Sequence, residues 1–353
     1  MLHLVIDASH IAYRAAFTLK LDAEDTPTGV LYGFLNTVLE LGQRFATNSF
    51  IFAFDTASEQ GVRRTTYPDY KAGRGKKDTE EDRELKRNVR MQLGLLHDTI
   101  LPSLGFPNVF RVERFEADDI IASVVGVDMD PTNSKNDCGV RLPIGCKADD
   151  RFIIASTDHD LFQLLGLHGR VVMYNSASKT LYTRSDFQKE HNTTPDRWAR
   201  VLAIAGCDTD EVEGLAGIGF KTAVKIVHGE PIRPVLQALY ESEDGRATVS
   251  RNWPLVYLPH RDFPWDMLEI KPPEFKGKGH YFREMCEQYH FATYLREPLV
   301  SQWRAFFTGN MDVPIAPASS TATGNPVMAP RMSSVSRTSK NVTPAVQVQL
   351  LGA

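Results

Sequence analysis

Three short apolar runs along the chain each end on an acid. Leu2 to Ile6 runs into Asp7, Phe50 to Phe54 into Asp55, and Phe152 to Thr157 into Asp158. Apolar runs of this length predict strands buried on both faces. Between the first two, Val30, Phe34, Val38, Leu41 and Phe45 recur at steps of three and four. That spacing predicts a helix over Gly29 to Phe45 with one apolar face. Strands alternating with helices predict an α/β fold with a mostly parallel sheet covered on both sides. In such sheets the strand carboxyl ends share one edge, where ligands bind, so the three aspartates should converge.

Residues 128–150 carry Asp-Pro, Cys-Gly and Leu-Pro-Ile-Gly with little periodicity, which reads as a surface insertion between a helix and a strand. Beyond Asp186 the pattern is mostly helical, turns Pro- and aromatic-rich from Trp253 to Pro273, and ends in an amphipathic helix near Tyr281 to Tyr294. The expected organisation is a catalytic α/β domain over 1–185, a smaller helical lobe over 186–310 and a disordered tail over 311–353. The tail has five prolines, ten Ser or Thr, one acid and no aromatic residue, too little to bury. No internal repeat is present.

Composition narrows the class. With 353 residues, 42% hydrophobic and 24% charged, the chain has ample material for a core. No apolar stretch reaches the roughly 18 residues needed to span a bilayer. Met1 to Asp7 lacks the basic region of a signal peptide, so a soluble, cytoplasmic protein is expected. The four cysteines show no Cys-x-x-Cys spacing, which argues against a zinc site or a disulfide framework. The net charge of −4 conceals an uneven distribution: Arg63 to Arg90 holds ten bases against six acids, leaving +4 there and −8 elsewhere. A basic element on an acidic body points to an anionic partner.

The candidate chemistry lies in four stretches. In Arg114 to Ser123, Glu116 and Asp119 are three residues apart and share a helix face with Asp118 beside them; an acidic first helical turn is also a common stabilising feature. In Ser156-Thr157-Asp158-His159-Asp160, two carboxylates follow a buried strand, and Asp160 can also cap a helix. With Asp7 and Asp55 these make seven candidate carboxylates from four segments. So much like charge calls for cations, and oxygen ligands select Mg²⁺ or Mn²⁺. Two such ions about 3.5–4 Å apart suit phosphodiester hydrolysis, one activating water and the other stabilising the leaving oxygen. No Gly-x-Gly-x-x-Gly follows the first strand, so a dinucleotide site is not supported. The third stretch is Gly217-Ile218-Gly219-Phe220-Lys221-Thr222, a hairpin before a helix whose exposed N–H groups suit a phosphate, or else a tight turn between helices. The fourth is Tyr70-Lys71-Ala72-Gly73-Arg74, where Lys71 and Arg74 can neutralise a phosphate and Tyr70 can stack on a base. Much of 78–90 reads as a solvated, charge-laced helix.

Together the segments resemble the 5′-nuclease superfamily, which includes the 5′→3′ exonuclease domain of bacterial DNA polymerase I, phage 5′-exonucleases and flap endonucleases. The resemblance rests on Asp7-Ala8-Ser9 with Tyr13-Arg14, Pro27-Thr28-Gly29 with Tyr32-Gly33-Phe34, Ala53-Phe54-Asp55, Tyr70-Lys71-x-x-Arg74, Glu116-Ala117-Asp118-Asp119, Ser156-Thr157-Asp158-x-Asp160 and Gly217-Ile218-Gly219-x-Lys221-Thr222-Ala223, in family order over roughly residues 2–300. It implies a PIN-like core, a helical arch over the site and a helix-three-turn-helix module that grips duplex DNA. It also implies a first Mg²⁺ among Asp7, Asp55, Glu116, Asp118 and Asp119, and a second reached from Asp158 and Asp160 with Asp208 and Asp210. By the same likeness Lys71 and Arg74 meet the scissile phosphate, Arg14 assists, and the glycine hairpin holds K⁺. The implied substrates are DNA 5′ ends, flaps and branches, with RNA–DNA hybrid a further candidate, and the protein is expected to act as a monomer.

The chain departs from the family at one place. Where the family reads Gly-Asp-x-x-Asp-Asn, this sequence reads Gly206-Cys207-Asp208-Thr209-Asp210-Glu211. A thiol is a poor Mg²⁺ ligand, so either Asp208 shifts in or the second site is weakened. The competing readings are a PIN-type ribonuclease, which would lack the hairpin, and an inactive DNA-junction binder. The tail sequence Val346 to Leu351 faintly resembles peptides that dock on sliding clamps, a likeness short enough to arise by chance.

Overall fold

Leu4, Val5 and Ile6 have no more than 1% of their surface exposed, and so do all five residues of Phe50–Phe54. Both runs are strands, and both lie inside one sheet. The computed structural model describes residues 1–19, 21–23, 26–56, 61–126 and 142–311. The predicted insertion thus lies partly outside the described residues, and the tail beyond Met311, with its clamp-like peptide, lies wholly outside them.

In chain order the elements that matter here are β1 (Leu2–Asp7), α1 (Ala8–Thr18), α2 (Gly29–Phe45), β2 (Phe50–Phe54), α3 (Glu80–Leu95), β3 (Val109–Arg111), α4 (Ala117–Val125), β4 (Arg151–Ala155), β5 (Val171–Asn175), β6 (Thr180–Tyr182), α5 (Trp198–Ala205), α6 (Phe220–His228), α7 (Glu243–Val256), α8 (Gly279–Gln288) and α9 (Leu299–Thr308). The six strands form one sheet in the order β3-β2-β1-β4-β5-β6. All pairings are parallel except β5 with β6. The predicted α2 matches its observed bounds, while the predicted helix near Tyr281 to Tyr294 stops at Gln288. Beyond it His290 takes φ 58° and a 3₁₀ turn spans Ala292–Leu295.

Side chains alternate between two cores, as a pleated strand requires. Val5, Ile51, Ala53, Phe152 and Ile154 face a core shared with α4, α5 and α7. Leu4, Ile6, Phe50, Phe52, Phe54, Ile153 and Ala155 face one shared with α1, α2, α8 and α9. Residues beyond 186 therefore contribute to both faces of the sheet. α1 and α2 pack closely because of Gly33, where a Cβ would stand 2.6 Å from the Ala15 Cβ. The described residues belong to one compact unit. None of their helices is long and apolar enough to cross a membrane.

The register sets the functional edge. Asp7 pairs with Ala53, and Ile6 with Ala155, so β1, β2 and β4 end level with one another. Asp55 follows the end of β2 directly, and Asp158 lies three residues beyond the end of β4.

Phe306 on α9 is fully buried, with ring centroids 5.7 Å from Phe50 and 6.0 Å from Phe106. Phe306→Ala is expected to cost about 3–5 kcal/mol of unfolding free energy in a urea titration. A loss near zero would show that α9 does not belong to the sheet core.

Candidate functional site

The strand ends open onto a cavity of about 1460 Å³. Asp7, Asp55, Glu116, Asp118, Asp158, Asp160, Asp208 and Asp210 line it, together with Lys71 and Arg74.

Each acid is positioned locally. β1 passes straight into α1, so Asp7 is both the last strand residue and the helix cap, accepting from the His10 amide at 3.0 Å. Its other oxygen accepts from Ser156 Oγ at 3.0 Å. Asp55 Oδ1 accepts from the Ala117 amide at 2.9 Å, tying the end of β2 to the start of α4. Asp158 Oδ1 accepts from the Asp160 amide at 2.9 Å. Among the described residues, no Lys or Arg forms an ion pair with Asp7, Asp55, Asp118, Asp158, Asp160 or Asp208. The electrostatic consequence is large. Burial, then Asp55 and Asp158, push Asp7 up to about 7, against hydrogen bonds from His10 and Ser156. Burial, then Asp158 and Asp210, push Asp160 up to about 8. Burial, with Asp158 and Asp7 nearby, holds Asp118 well above the ordinary carboxyl range.

The opposite wall is a set of paired charges. Lys71, buried and held at φ 54°, donates from Nζ to Glu116 Oε1 at 2.7 Å and lies 3.4 Å from Asp210 Oδ2. Arg74 donates to Asp210 Oδ1 at 2.9 Å. Burial opposes charge on Glu116, yet Lys71 and Arg63 hold it down to about 2. Burial likewise opposes charge on Lys71, but Glu116 and Asp210 keep its pKa above the usual lysine value.

The structure corrects several expectations. Asp119 does not reach the cavity. Its carboxylate is fully buried, takes both Arg63 guanidinium nitrogens at 2.6 and 2.7 Å, and accepts from the His260 amide at 2.7 Å. A step of one helical residue from Asp118 turns its side chain to the interior, so Asp119 leaves the proposed ligand set. Arg63 therefore belongs to the core and not to the basic surface; it is 2% exposed and also donates to the Leu255 carbonyl at 3.0 Å. Tyr70 is 3% exposed, and its hydroxyl donates to Glu116 and Asp210, both at 2.9 Å. With its ring enclosed it offers no face to a base. Arg14, half-buried on α1, is absent from the cavity lining.

Cys207 is buried, with its sulfur 3.8 Å from Asp160 Oδ1 and 3.0 Å from Thr209 Oγ1. Asp160, Cys207 and Asp210 bring ligand atoms within 4.8 Å of one another, and Asp208 is not in that group. Burial, then Asp160, pushes the thiol up to about 12.

Gly217, Gly219, Lys221 and Thr222 lie outside the cavity lining. Gly217 takes φ 77°, a conformation that favours glycine, and Gly219 caps α6. Between them Ile218 is 2% exposed and anchors the turn, while both glycines and Lys221 are exposed.

Sequence reasoning missed Ser156, the partner of Asp7, and His10, Lys86, Arg90 and Phe220, which line the cavity. The signal for Lys86 and Arg90 was their i,i+4 spacing on one face of α3. The rest of that helix is charge-laced as expected, with Glu80 bridging Arg83 at 3.3 Å and Arg87 at 3.1 Å.

A mostly parallel α/β sheet with a carboxylate-lined cavity at its strand ends defines a PIN-like nuclease fold. Residues 2–192 match the family described as 5′-3′ exonuclease, N-terminal resolvase-like domain, and the chain belongs to that family. It is 28% identical over 270 residues to the thermostable DNA polymerase I of Thermus aquaticus, covering 76% of this chain and 28% of that protein. It is 28% identical over 255 residues to DNA polymerase I of Streptococcus pneumoniae, covering 69% of this chain and 25% of that protein. The chain thus spans roughly a quarter of the length of these relatives. Among solved structures it is similar to a bacteriophage T5 flap endonuclease in a pseudo-enzyme-product complex with DNA and metal ions, with TM-score 0.56, 20% identity, and 73% of this chain and 90% of that chain covered. It is also similar to the T5 5′-exonuclease with divalent zinc bound, with TM-score 0.55, 20% identity and the same coverage.

Two outcomes follow from the geometry. Asp119→Ala strands the buried Arg63 guanidinium and is expected to cost about 3–5 kcal/mol in denaturant unfolding. A stability equal to wild type would return Asp119 to a purely functional role. The second concerns pH in protein stripped of divalent ions. Asp7 near 7 and Asp160 near 8 lie above the ordinary carboxyl value of about 3.9, so the folded chain binds more protons than the unfolded one between about pH 4 and pH 8. The contribution of these two groups is fully present below that window and is lost as pH rises through it. Calorimetry in chelator should give a higher Tm at about pH 6 than at about pH 8, and Asp7→Asn should flatten the difference. A Tm insensitive to pH in this range would contradict the crowding.

Proposed function

We propose that the chain is a Mg²⁺-dependent 5′-nuclease that hydrolyses DNA phosphodiesters at 5′ ends, flaps and branches, in replication or repair. The observation that carries the reading is a group of cavity carboxylates without ion-pair partners, facing a wall that presents Lys71 and Arg74. The donor set fits hard divalent ions: Asp7, Asp55, Glu116 and Asp118 would hold one, and Asp158, Asp160, Asp208 and Asp210 a second, with Mn²⁺ able to substitute. When bound, such ions polarise the phosphate and make water acidic enough to attack it.

The chain's own groups do the rest. Lys71 and Arg74 neutralise the phosphate as charge develops on it. Glu116 and Asp210 hold both cations in place, and their charges keep Lys71 protonated. Lys86 and Arg90 on α3 offer further phosphate contacts across the cavity mouth. Residues 1–185 supply the catalytic sheet. Residues 186–310 supply the DNA grip, in which the Gly217–Gly219 turn and the α6 amino terminus, with Lys221 and Thr222, form the hairpin of a helix-three-turn-helix module that binds a duplex phosphate, with K⁺ at the turn.

Cys207 favours one variation on this theme, in which the second ion is held weakly and cutting at branches outlasts processive degradation from ends.

The test is cleavage of an end-labelled 5′-flap DNA. Wild type should cut with Mg²⁺ and stop in chelator. Asp158→Ala should lose about two orders of magnitude or more, and Lys71→Ala about 10²–10³-fold in kcat. Cleavage by Asp158→Ala at the wild-type rate would refute the site.

A further inference from the structure

At the amino-terminal edge of the sheet, roughly 13 Å along β1 from Asp7, three side chains from two distant parts of the chain meet. They are His3 on β1, Cys146 in the segment returning to the sheet, and Asp150 just before β4. Their ligand atoms, one imidazole nitrogen, one thiol and one carboxylate oxygen, lie within 4.8 Å of one another. We propose that His3, Cys146 and Asp150 form a second, non-catalytic metal site that takes Zn²⁺ or a similar borderline transition ion.

The second observation is the state of His3. The residue is 3% exposed, and its Nε2 is a buried polar atom with no hydrogen-bond partner. A buried polar atom left unpaired is costly, and such atoms usually mark a missing ligand or a function. The other ring nitrogen, Nδ1, is 2.8 Å from Ser49 Oγ. With Nδ1–H donating to that hydroxyl, the lone pair of Nε2 faces Cys146 and Asp150, the arrangement by which ligating histidines are oriented. Phe152 stacks on the ring at 5.3 Å and fixes its plane.

Distance supports the same reading. His3 Nε2 and Asp150 Oδ2 are 3.4 Å apart, an ion-pair distance when the ring is protonated but outside the geometry of a good hydrogen bond. Two ligands at about 2.0–2.2 Å from a tetrahedral ion stand about 3.4 Å from each other. Asp150 is itself oriented, its Oδ1 accepting from the Met1 ammonium at 2.6 Å and its Oδ2 from the Lys147 amide at 2.7 Å. Burial, then the Asp150 charge, push the Cys146 thiol up to about 11, while the Arg170 guanidinium pulls the other way. A metal would take the thiolate outright.

The donor set decides the metal. One nitrogen, one sulfur and one oxygen suit zinc and its neighbours, and not the hard ions that suit the cavity. Three protein ligands leave the fourth position to water. The site would clip the 142–150 segment to the start of β1. That segment is already docked on the body, with Ile144 bridging to Glu269 and Gly145 packed against the Ile270 carbonyl.

The experiment uses the full chain, stripped of metal and then given Co²⁺ or Zn²⁺ with Mg²⁺ in excess to occupy the carboxylates. Co²⁺ should produce a thiolate-to-metal charge-transfer band in wild type and in Cys207→Ser, and none in Cys146→Ser. Zn²⁺ should raise the Tm of the first two further than that of the third, in which only the carboxylate cavity is left to take the ion. Ser49→Ala should weaken Zn²⁺ binding about 10–100-fold while keeping every ligand, a loss that a merely structural serine would not produce. His3→Gln gives a reading that does not depend on the thiol variant folding, and it should cut the Zn²⁺-dependent rise in Tm to the level of Cys146→Ser. A band that survives Cys146→Ser, a band lost only in Cys207→Ser, an unchanged Zn²⁺ response in His3→Gln, or no band in wild type would each overturn the proposal.

Discussion

Mutual repulsion among carboxylates at the ends of β1, β2 and β4 is the constraint around which the molecule is arranged. A parallel sheet with level strand ends delivers Asp7, Asp55 and Asp158 to one edge whether or not they gain by it. The protein does not relieve the repulsion with arginines. It gives these acids hydrogen bonds from amides and a serine, which hold each oxygen in place without cancelling its charge. The result is a pocket that is unfavourable on its own and favourable around cations, the usual condition of a site in which stability yields to function.

Cationic residues are present nearby but are committed elsewhere. Arg63, Lys71 and Arg74 pair with Asp119, Glu116 and Asp210, so the cavity has one unpaired acidic wall and one paired wall. The buried Arg63–Asp119 pair supports this division. Through Leu255 in the last turn of α7 and His260 just beyond it, the pair joins that end of α7 to the start of α4, where Glu116 caps the helix and Asp118 lies in its first turn. Removing either partner would leave an uncompensated charge in the core. Two adjacent residues therefore do opposite work: Asp118 contributes charge to the cavity, and Asp119 anchors the helix that presents it.

What could be read from sequence was what periodicity and strand ends express. The apolar runs located three strands and their aspartates, and the 3.6-residue spacing located α2. Tyr70, Arg63 and Asp119 were misplaced because their roles depend on which side of a turn or helix faces inward, and residue type does not reveal that. All three are chemically suited to a surface site, and all three are buried. Lys86 and Arg90 were hidden for the opposite reason, since a salt-bridged helix looks the same whether or not one face lines a cavity. In the His3, Cys146 and Asp150 group only the last two are near in sequence, and nothing local links them to His3. The group comes together only because β1 and β4 are neighbours in the sheet while 143 residues separate His3 from Cys146 in sequence.

Cys207 shows how a single residue changes the balance in this arrangement. A carboxylate there would add another negative charge beside Asp160, whose ionisation burial, Asp158 and Asp210 already oppose. The thiol is held at about 12 and stays neutral near pH 7, so it lowers the repulsion at that end of the cavity. It also lowers the attraction for a hard cation, and its sulfur is a poor donor to such an ion. Stability and metal affinity thus trade directly against each other at this position. Asp208 does not restore the lost charge, because it stands at the cavity lining outside the group formed by Asp160, Cys207 and Asp210.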